Sequence, residues 1–326
     1  MDIVLIVSGF VLLILGGEWL LKSAVGFANY FDIPKIIIGL TVVSFATSAP
    51  ELFVSIRSIF DGYSDLAIYN VIGSNIANLG FVLSITLIIS VIRIRKSFIW
   101  DWAFMIFSTL LFFVFIFPDK TISRIEGVAF LFFLILFIVF LYIKKDSHQD
   151  KSTGSEIELV EDEKSKKTSF LFLKLNILMA YFIYFSLGSL FLWIGSEFLI
   201  CGTINIAEYF GVSQRIIAIT MVSIGTSIPE LTASLMAALK NEKSISLGNL
   251  IGSNIFNIMA VLGISSIIRP IKIVDQQLLN VDAVWMICIS IIILPLVYFR
   301  VKMTLSRVEG FILLLFYLAF IFSVFS

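Results

Sequence analysis

Apolar segments, each long enough to form one helix across a bilayer, follow one another along the chain with short charged or turn-rich breaks between them. A transmembrane helix needs about 20 predominantly apolar residues. We place these segments near residues 3–21, 36–58, 66–92, 99–117, 125–143, 175–199, 215–239, 247–268, 281–299 and 308–325. The pattern therefore predicts an all-α polytopic membrane protein with ten transmembrane helices.

One polar stretch of any length interrupts the pattern, between the fifth and sixth segments. It contains KKDSHQDKSTGSEIELVEDEKSKKTS, a composition typical of a flexible linker. The stretch divides the chain into a first five-helix half (1–143), a linker (144–174) and a second five-helix half (175–326).

Composition supports this class of protein. Of the 326 residues 59% are hydrophobic, 33 are phenylalanine, and the mean hydropathy is +1.05, whereas a soluble domain of this length would need far more polar surface. The first segment has no basic region before it, so we expect residues 3–21 to be a retained helix and not a cleaved signal.

The positive charges are distributed unevenly between alternate loops. Odd-numbered loops, including the linker, hold 17 Lys and Arg residues, and even-numbered loops hold six. Cytoplasmic loops carry the excess of positive charge in membrane proteins. The bias predicts a multi-pass protein of the cell (inner or plasma) membrane, with a cytoplasmic linker and both termini outside.

The two halves repeat one another. TVVSFATSAPE (41–51) matches TMVSIGTSIPE (220–230) at seven of eleven positions, and YNVIGSNIANLG (69–80) matches GNLIGSNIFNIM (248–259) at seven of twelve, both with an offset of 179 residues. Because each half has an odd number of helices, the second copy enters the membrane inverted. We therefore predict two inverted five-helix repeats, an architecture that many secondary transporters build around one central site.

Most identities between the copies are polar residues at helical spacing, on segments that should lie in hydrocarbon. Pro50 and Pro229 each lack a backbone N–H, which predicts that the carbonyls of Ala46 and Gly225 have no donor and are available as ion ligands. The recurring polar side chains are Ser44, Thr47, Ser48, Glu51, Ser74 and Asn78 in the first half, and Ser223, Thr226, Ser227, Glu230, Ser253 and Asn257 in the second.

These groups offer oxygen ligands only, which suits Ca²⁺, Na⁺ or a similar hard cation and not Zn²⁺ or Cu²⁺. An unpaired ionised Glu in the bilayer costs about 3 kcal/mol or more. The predicted interiors of the four helices hold no Lys or Arg, so the two carboxylates need a mobile cation or protons. The structural alternative is that the hydroxyls join helices and each Pro-Glu pair is a kink. We disfavour it because both acids recur at matched positions.

The paired motifs TS-x-PE and GSNI-x-N resemble the alpha-repeats of the sodium/calcium exchanger family, within the calcium/cation antiporter superfamily, in its prokaryotic form. The resemblance implies an electrogenic antiporter in which Na⁺ and Ca²⁺ compete for adjacent sites and share Glu51 and Glu230. It also implies that the first and sixth helices slide, and that the backbone carbonyls of Ser44 and Ser223 bind ions. The side chains that match the lining of these sites are Thr47, Ser48, Ser74, Asn78, Thr226, Ser227 and Ser253.

The resemblance implies a Na⁺/Ca²⁺ antiporter that extrudes Ca²⁺ from the cytoplasm across the lipid bilayer. We expect a monomer to be sufficient, with no enzymatic activity, resident cofactor or nucleic-acid partner. Asn257 stands where potassium-dependent members carry Asp, which favours potassium-independent exchange. H⁺/Ca²⁺ antiport is the nearest alternative, although that branch resembles GN-x-x-E at the motif. A divalent-cation channel fits the inverted repeat less well.

Two further acids, Glu18 and Glu197, also keep the offset of 179 residues. Both lie near helix ends, and Lys22 follows Glu18 by one turn. We favour an interfacial ion pair between Glu18 and Lys22 over a gating role.

Overall fold

The computed structural model describes residues 2–62, 64–145, 167–209, 223–273, 275, 277–299, 301 and 303–325. Most of the predicted linker lies outside this part of the chain, and so does the first part of the predicted seventh helix, up to residue 222. The described part is almost entirely helical. Its helices are α1 (Asp2–Phe31), α2 (Lys35–Thr47), α3 (Ala49–Phe60), α4 (Leu66–Ile89), α5 (Phe98–Ile116), α6 (Arg124–Ile143), α7 (Lys167–Tyr209), α8 (Ser223–Thr226), α9 (Ile228–Leu239), α10 (Lys243–Ile268), α11 (Leu278–Tyr298) and α12 (Arg307–Val324).

Eight of these helices are long and apolar enough to cross a membrane, and α2 and α3 together form a further span that is bent by 41°. They lie at the predicted segments, with two extensions. α1 continues to Phe31, ten residues beyond its predicted end, and α7 begins at Lys167, inside the stretch assigned to the linker. α8 and α9 lie within the predicted seventh helix.

The bent spans break at matched positions. Ser48 leaves the helical conformation with φ −85° and ψ 3°, and Ser227 does so with φ −88° and ψ 3°. In each case a proline follows within the first turn of the next helix, where its missing N–H costs no hydrogen bond. The sequence Ser-x-Pro therefore ends one helix and starts another inside the apolar segment.

α4 and α10 form the centre of the molecule. Of their most apolar windows, 72% and 83% of the residues are buried, compared with 28% for α1 and 11% for α7. Each also contains a π-helical turn, Asn78–Val82 in α4 and Asn257–Leu262 in α10. Polar residues on these two helices are thus removed from the lipid-facing surface.

α1 and α7 pack closely on one another at the periphery. A Cβ added at Gly16 would lie 2.7 Å from the backbone N of Leu192, and one added at Gly188 would lie 2.7 Å from that of Leu20. Glycine at these positions lets the two backbones touch, as small residues do in membrane helix pairs. The two helices therefore form a distinct hairpin-like pair.

Loop contacts join the two halves at both ends of the bundle. Strand β1 (Ile92–Arg93) pairs with β4 (Thr304–Leu305), and β2 (Thr121–Ile122) pairs with β3 (Ile271–Lys272), both antiparallel. Each pair joins two loops that the charge count assigns to one side of the membrane.

Side-chain contacts follow the same rule. Lys35 forms an ion pair with Glu242 (Nζ–Oε1 2.7 Å) between odd-numbered loops. At the other end the Tyr69 hydroxyl donates to Asp275 (2.5 Å), and this hydrogen bond, with one from the backbone N–H of Gln277, lowers the pKa of the Asp275 carboxyl.

Candidate functional site

Glu51 and Glu230 lie in the first turns of α3 and α9, directly after the two helix breaks. The side chains are fully buried, with 0% exposure for both residues. The first turn of a helix presents unpaired backbone N–H groups and the positive end of the helix dipole, which favour a carboxylate there. The local sequence Ser-x-Pro-Glu thus creates the break and places an acid at it.

The structure brings the predicted residues of the two halves into contact. Each threonine that precedes a break contacts the serine on the central helix of the opposite half, and a break serine donates to the opposite carboxylate. These contacts are Thr47 Oγ1 to Ser253 Oγ (3.3 Å), Thr226 Oγ1 to Ser74 Oγ (3.2 Å), and Ser48 Oγ to Glu230 Oε1 (3.3 Å).

Several buried polar atoms at this place have no hydrogen-bond partner among the described residues. Leaving such an atom unpaired costs about 1–3 kcal/mol, and more for a charged group. These atoms are both carboxylate oxygens of Glu51, Oε2 of Glu230, Oγ of Ser227, both terminal atoms of the Asn78 amide and Oδ1 of Asn257. Their clustering is what a site for a ligand that supplies no acceptors of its own, such as a cation, would show.

The electrostatics of the site are those of two acids without a base. The carboxylates of Glu51 and Glu230 are close enough to repel one another. No Lys, Arg or His side chain is among the buried polar side chains of the described residues. Nor do those residues contain a group of three or more His, Cys, Asp or Glu side chains arranged to hold a metal ion. Any cation here would be held by two carboxylates together with hydroxyl, amide and carbonyl oxygens.

The remaining predicted residues are placed differently. The Ser44 hydroxyl donates to the carbonyls of Gly39 (2.8 Å) and Asn249 (3.0 Å), so it ties α2 to α10. Ser223 begins α8, at the edge of the described part of the chain. Asn257 donates through Nδ2 to Asn75 Oδ1 (3.1 Å), which leaves its own oxygen directed elsewhere.

The prediction that the Gly225 carbonyl lacks a donor is wrong. Ser196, on α7, donates its hydroxyl to this oxygen at 2.8 Å, because α7 packs against the break between α8 and α9. The residue 179 positions before Ser196 is Gly17, which has no hydroxyl to offer Ala46 in the same way. The two halves therefore differ at this point.

Sequence reasoning missed a second layer of amides beneath the predicted residues. Asn70 Nδ2 donates to Ser55 Oγ (3.1 Å) and to the Glu51 carbonyl (3.1 Å), and Asn249 Nδ2 donates in the matched way to Ser234 Oγ (2.9 Å). The signal was available, because Asn70 and Asn249 are among the identities at the offset of 179 residues.

The expected partner of Glu18 is also corrected. Glu18 forms its ion pair with Lys240, at the end of α9, and not with Lys22. The ammonium of Lys22 lies over the ring of Tyr184, 4.1 Å from its centroid. Proximity along one helix was a poor guide here because α7 and α9 offer nearer partners. Glu197 is exposed.

Comparisons with known proteins identify the family. The family model described as sodium/calcium exchanger protein matches residues 1–143 and 180–326. The chain is 35% identical to the putative antiporter CaxA of Alkalimonas amylolytica (99% of this chain, 98% of that protein). It is 31% identical to the sodium/calcium exchanger MaX1 of Methanosarcina acetivorans (98% and 97%). A solved structure of the sodium-calcium exchanger NCX_Mj superposes with a TM-score of 0.77 at 26% identity, covering 99% of this chain and 98% of that one. The chain therefore belongs to the sodium/calcium exchanger protein family.

Proposed function

We propose that this protein is a secondary antiporter that exchanges Na⁺ for Ca²⁺ by alternating access and extrudes Ca²⁺ from the cytoplasm. The observation that carries the proposal is the buried pair of carboxylates, Glu51 and Glu230, with unpartnered oxygens and no buried basic side chain among the described residues. A charge of about −2 in low dielectric needs compensation, which one Ca²⁺ or several Na⁺ can supply. The relative MaX1 is named as a sodium/calcium exchanger, which supports this choice of ions.

In this proposal the two carboxylates are shared by Ca²⁺ and Na⁺, so that binding of one ion excludes the other. The backbone carbonyls of Ser44 and Ser223 complete the sites. The neutral side-chain ligands are Thr47, Ser48, Ser74, Asn78, Thr226, Ser227, Ser253 and Asn257. Hydroxyl and amide oxygens replace the water that the ions lose on entering a dehydrated site.

The proposed architecture is ten transmembrane helices in two inverted five-helix repeats, 1–143 and 175–326, joined by a linker at 144–174. The matched breaks at Ser48 and Ser227 support it, as do the matched π-helical turns that begin at Asn78 and Asn257. The crossed threonine–serine contacts also follow this symmetry. An inverted repeat supplies two related conformations that open the site to opposite sides of the membrane.

We also propose that the linker is cytoplasmic and that both termini lie outside the cell. The contacts between loops that the charge count assigns to one side support this arrangement. One chain supplies both carboxylates, so a monomer would be sufficient for transport, without a cofactor. The closely packed pair of α1 and α7 would be the element that moves, since it contacts the site at a single described hydrogen bond, from Ser196 to Gly225.

H⁺/Ca²⁺ antiport remains the second candidate, because buried carboxylates can also carry protons. The motif around each acid favours Na⁺, since hydroxyls at Thr47, Ser48, Thr226 and Ser227 supply neutral ligands that a proton would not need.

The test is Ca²⁺ uptake into proteoliposomes that contain the purified protein, with an imposed Na⁺ gradient in one set and an imposed pH gradient in the other. The proposal expects uptake driven by the Na⁺ gradient and little uptake driven by the pH gradient alone. Uptake driven only by the pH gradient would assign the protein to H⁺/Ca²⁺ exchange.

A further inference from the structure

The outer faces of α5 and α6 enclose an open groove of about 430 Å³. The groove lies on segments that span the membrane, and Trp100 (52%) and Leu136 (43%) are among its exposed walls. We propose that it binds one acidic phospholipid, with an acyl chain along the groove and the headgroup at Lys144. The residues that line it are Trp100, Ala103, Phe104, Phe107, Phe133, Leu136 and Phe140.

The shape of the groove follows from the spacing of its aromatic residues. Three ring pairs bridge α5 and α6, and Ala103 lies between the rings of α5 with a side chain of one carbon. A small residue among large ones leaves a hollow wide enough for a chain of methylene groups. The bridging pairs are Trp100–Phe140 (6.4 Å between centroids), Phe104–Phe137 (4.3 Å) and Phe107–Phe133 (5.1 Å).

One end of the groove is positively charged. Lys144 follows α6, and its ammonium lies 4.4 Å from the centroid of Trp100 and 4.9 Å from that of Phe140. These cation–π contacts hold the charge at the mouth of the groove while the residue stays exposed. Lys96, which precedes α5, and Lys145 add positive charge at the same end.

This combination identifies the occupant by its chemistry. An apolar chain fits the aromatic walls, and an anionic headgroup fits the lysines at the mouth. A zwitterionic lipid could fill the groove but would gain less from the lysines. A free anion such as inorganic phosphate would make no use of the rings. An acidic phospholipid is the one occupant that uses both parts of the site.

Trp100 provides a direct probe. In a variant that keeps Trp100 as its only tryptophan, with phenylalanine at the other four positions, we compare quenching by phosphatidylglycerol and by phosphatidylcholine that carry the same brominated chains. We expect a preference for phosphatidylglycerol of roughly fivefold, the amount that one lysine contributes near an anionic surface. Lys144→Gln should remove the preference, and Ala103→Leu, which fills the hollow, should reduce it. Lys120→Gln removes the same charge at the opposite end of α5 and should leave it unchanged.

Equal quenching by the two lipids, or a preference that survives Lys144→Gln, would overturn the proposal and leave only ordinary boundary lipid. If the single-tryptophan variant does not fold, native mass spectrometry of the protein with its own tryptophans replaces it. Retained phosphatidylglycerol should then fall for Lys144→Gln and not for Lys120→Gln. Equal retention by both variants would likewise contradict the proposal.

Discussion

Glu51 and Glu230 combine two features that are costly together, an acidic side chain and complete burial. The position of each in the first turn of a helix offsets part of that cost. Ser48 contributes one hydrogen bond to Glu230, but three of the four carboxylate oxygens remain without a partner among the described residues. The residues at this site thus leave a charge that a transported ion would complete.

Substituting Glu51→Gln or Glu230→Gln should nearly abolish Ca²⁺ flux while the protein still folds. Loss of one charge from a buried charge pair costs about 2–5 kcal/mol, or roughly 30- to 5,000-fold in affinity. Ca²⁺ uptake into proteoliposomes measures the loss, and elution as a single species in detergent checks folding. Asp61→Asn makes the same change at an exposed acid that pairs with Arg57 (3.7 Å), and flux should be retained. Wild-type flux in either Gln variant would remove that residue from the site.

Asn257→Asp should make exchange sensitive to pH or to K⁺. The new acid would add a third carboxylate to the site of Glu51 and Glu230, so it should be protonated at low pH and recruit a further cation at high pH. The variant should therefore depart from the wild type most at the alkaline end of a series from about pH 6 to 9. Asn78→Asp should behave similarly.

Na⁺-driven Ca²⁺ flux, measured over that series with and without K⁺, tests this expectation. Asn241→Asp is the control, since it makes the same change at an exposed loop residue. Profiles of Asn257→Asp that overlay those of the wild type in both conditions would mean that its free oxygen does not face the ions.

At the scale of elements, the contact between α7 and the helix break is the point where the two halves differ. The Ser196 hydroxyl replaces the donor that Pro229 cannot provide to the Gly225 carbonyl. Gly17 takes the matched position on α1. The peripheral pair of helices is therefore joined to the centre of the molecule through the second half, by a bond without a counterpart at Gly17.

Ser196→Ala should destabilise the protein by about 1–3 kcal/mol, because it leaves a buried carbonyl without a donor. Ser196→Thr, which restores a hydroxyl, should recover part of the loss. The measurement is the midpoint of thermal unfolding in detergent. Ser189→Ala is the matched control on the same helix, since that hydroxyl bonds only to the Phe185 carbonyl one turn before it (2.8 Å). Equal midpoints for the two alanine variants would show that the Ser196 bond contributes nothing.

At the scale of the whole molecule, apolar segment length and the internal repeat were sufficient to predict the spans and the contact between the two acidic motifs. The extension of α7 to Lys167 was missed because polar residues there resemble a linker. The bond from Ser196 and the pairing of Glu18 with Lys240 were missed because they depend on how distant helices pack. Repeats within the sequence predict matched positions, and they do not reveal where the halves differ.

The orientation of the molecule gives a prediction at this scale. A cysteine in place of Ser155, in a background that lacks Cys201 and Cys288, should not react with an impermeant thiol reagent added outside intact cells. It should react after permeabilisation, because the charge bias puts the linker in the cytoplasm. Reaction in intact cells would reverse the orientation and, with it, the proposed direction of Ca²⁺ transport.

The central claim, that Na⁺ and Ca²⁺ compete for one site shared by Glu51 and Glu230, is tested most directly by calorimetry of Ca²⁺ binding to the purified protein. The titration is run in Na⁺ and in choline at equal ionic strength. The account predicts that Na⁺ weakens Ca²⁺ binding, that choline does not, and that Glu51→Gln and Glu230→Gln each remove most of the binding. Ca²⁺ affinity that is indifferent to Na⁺, or unchanged in either variant, would contradict it.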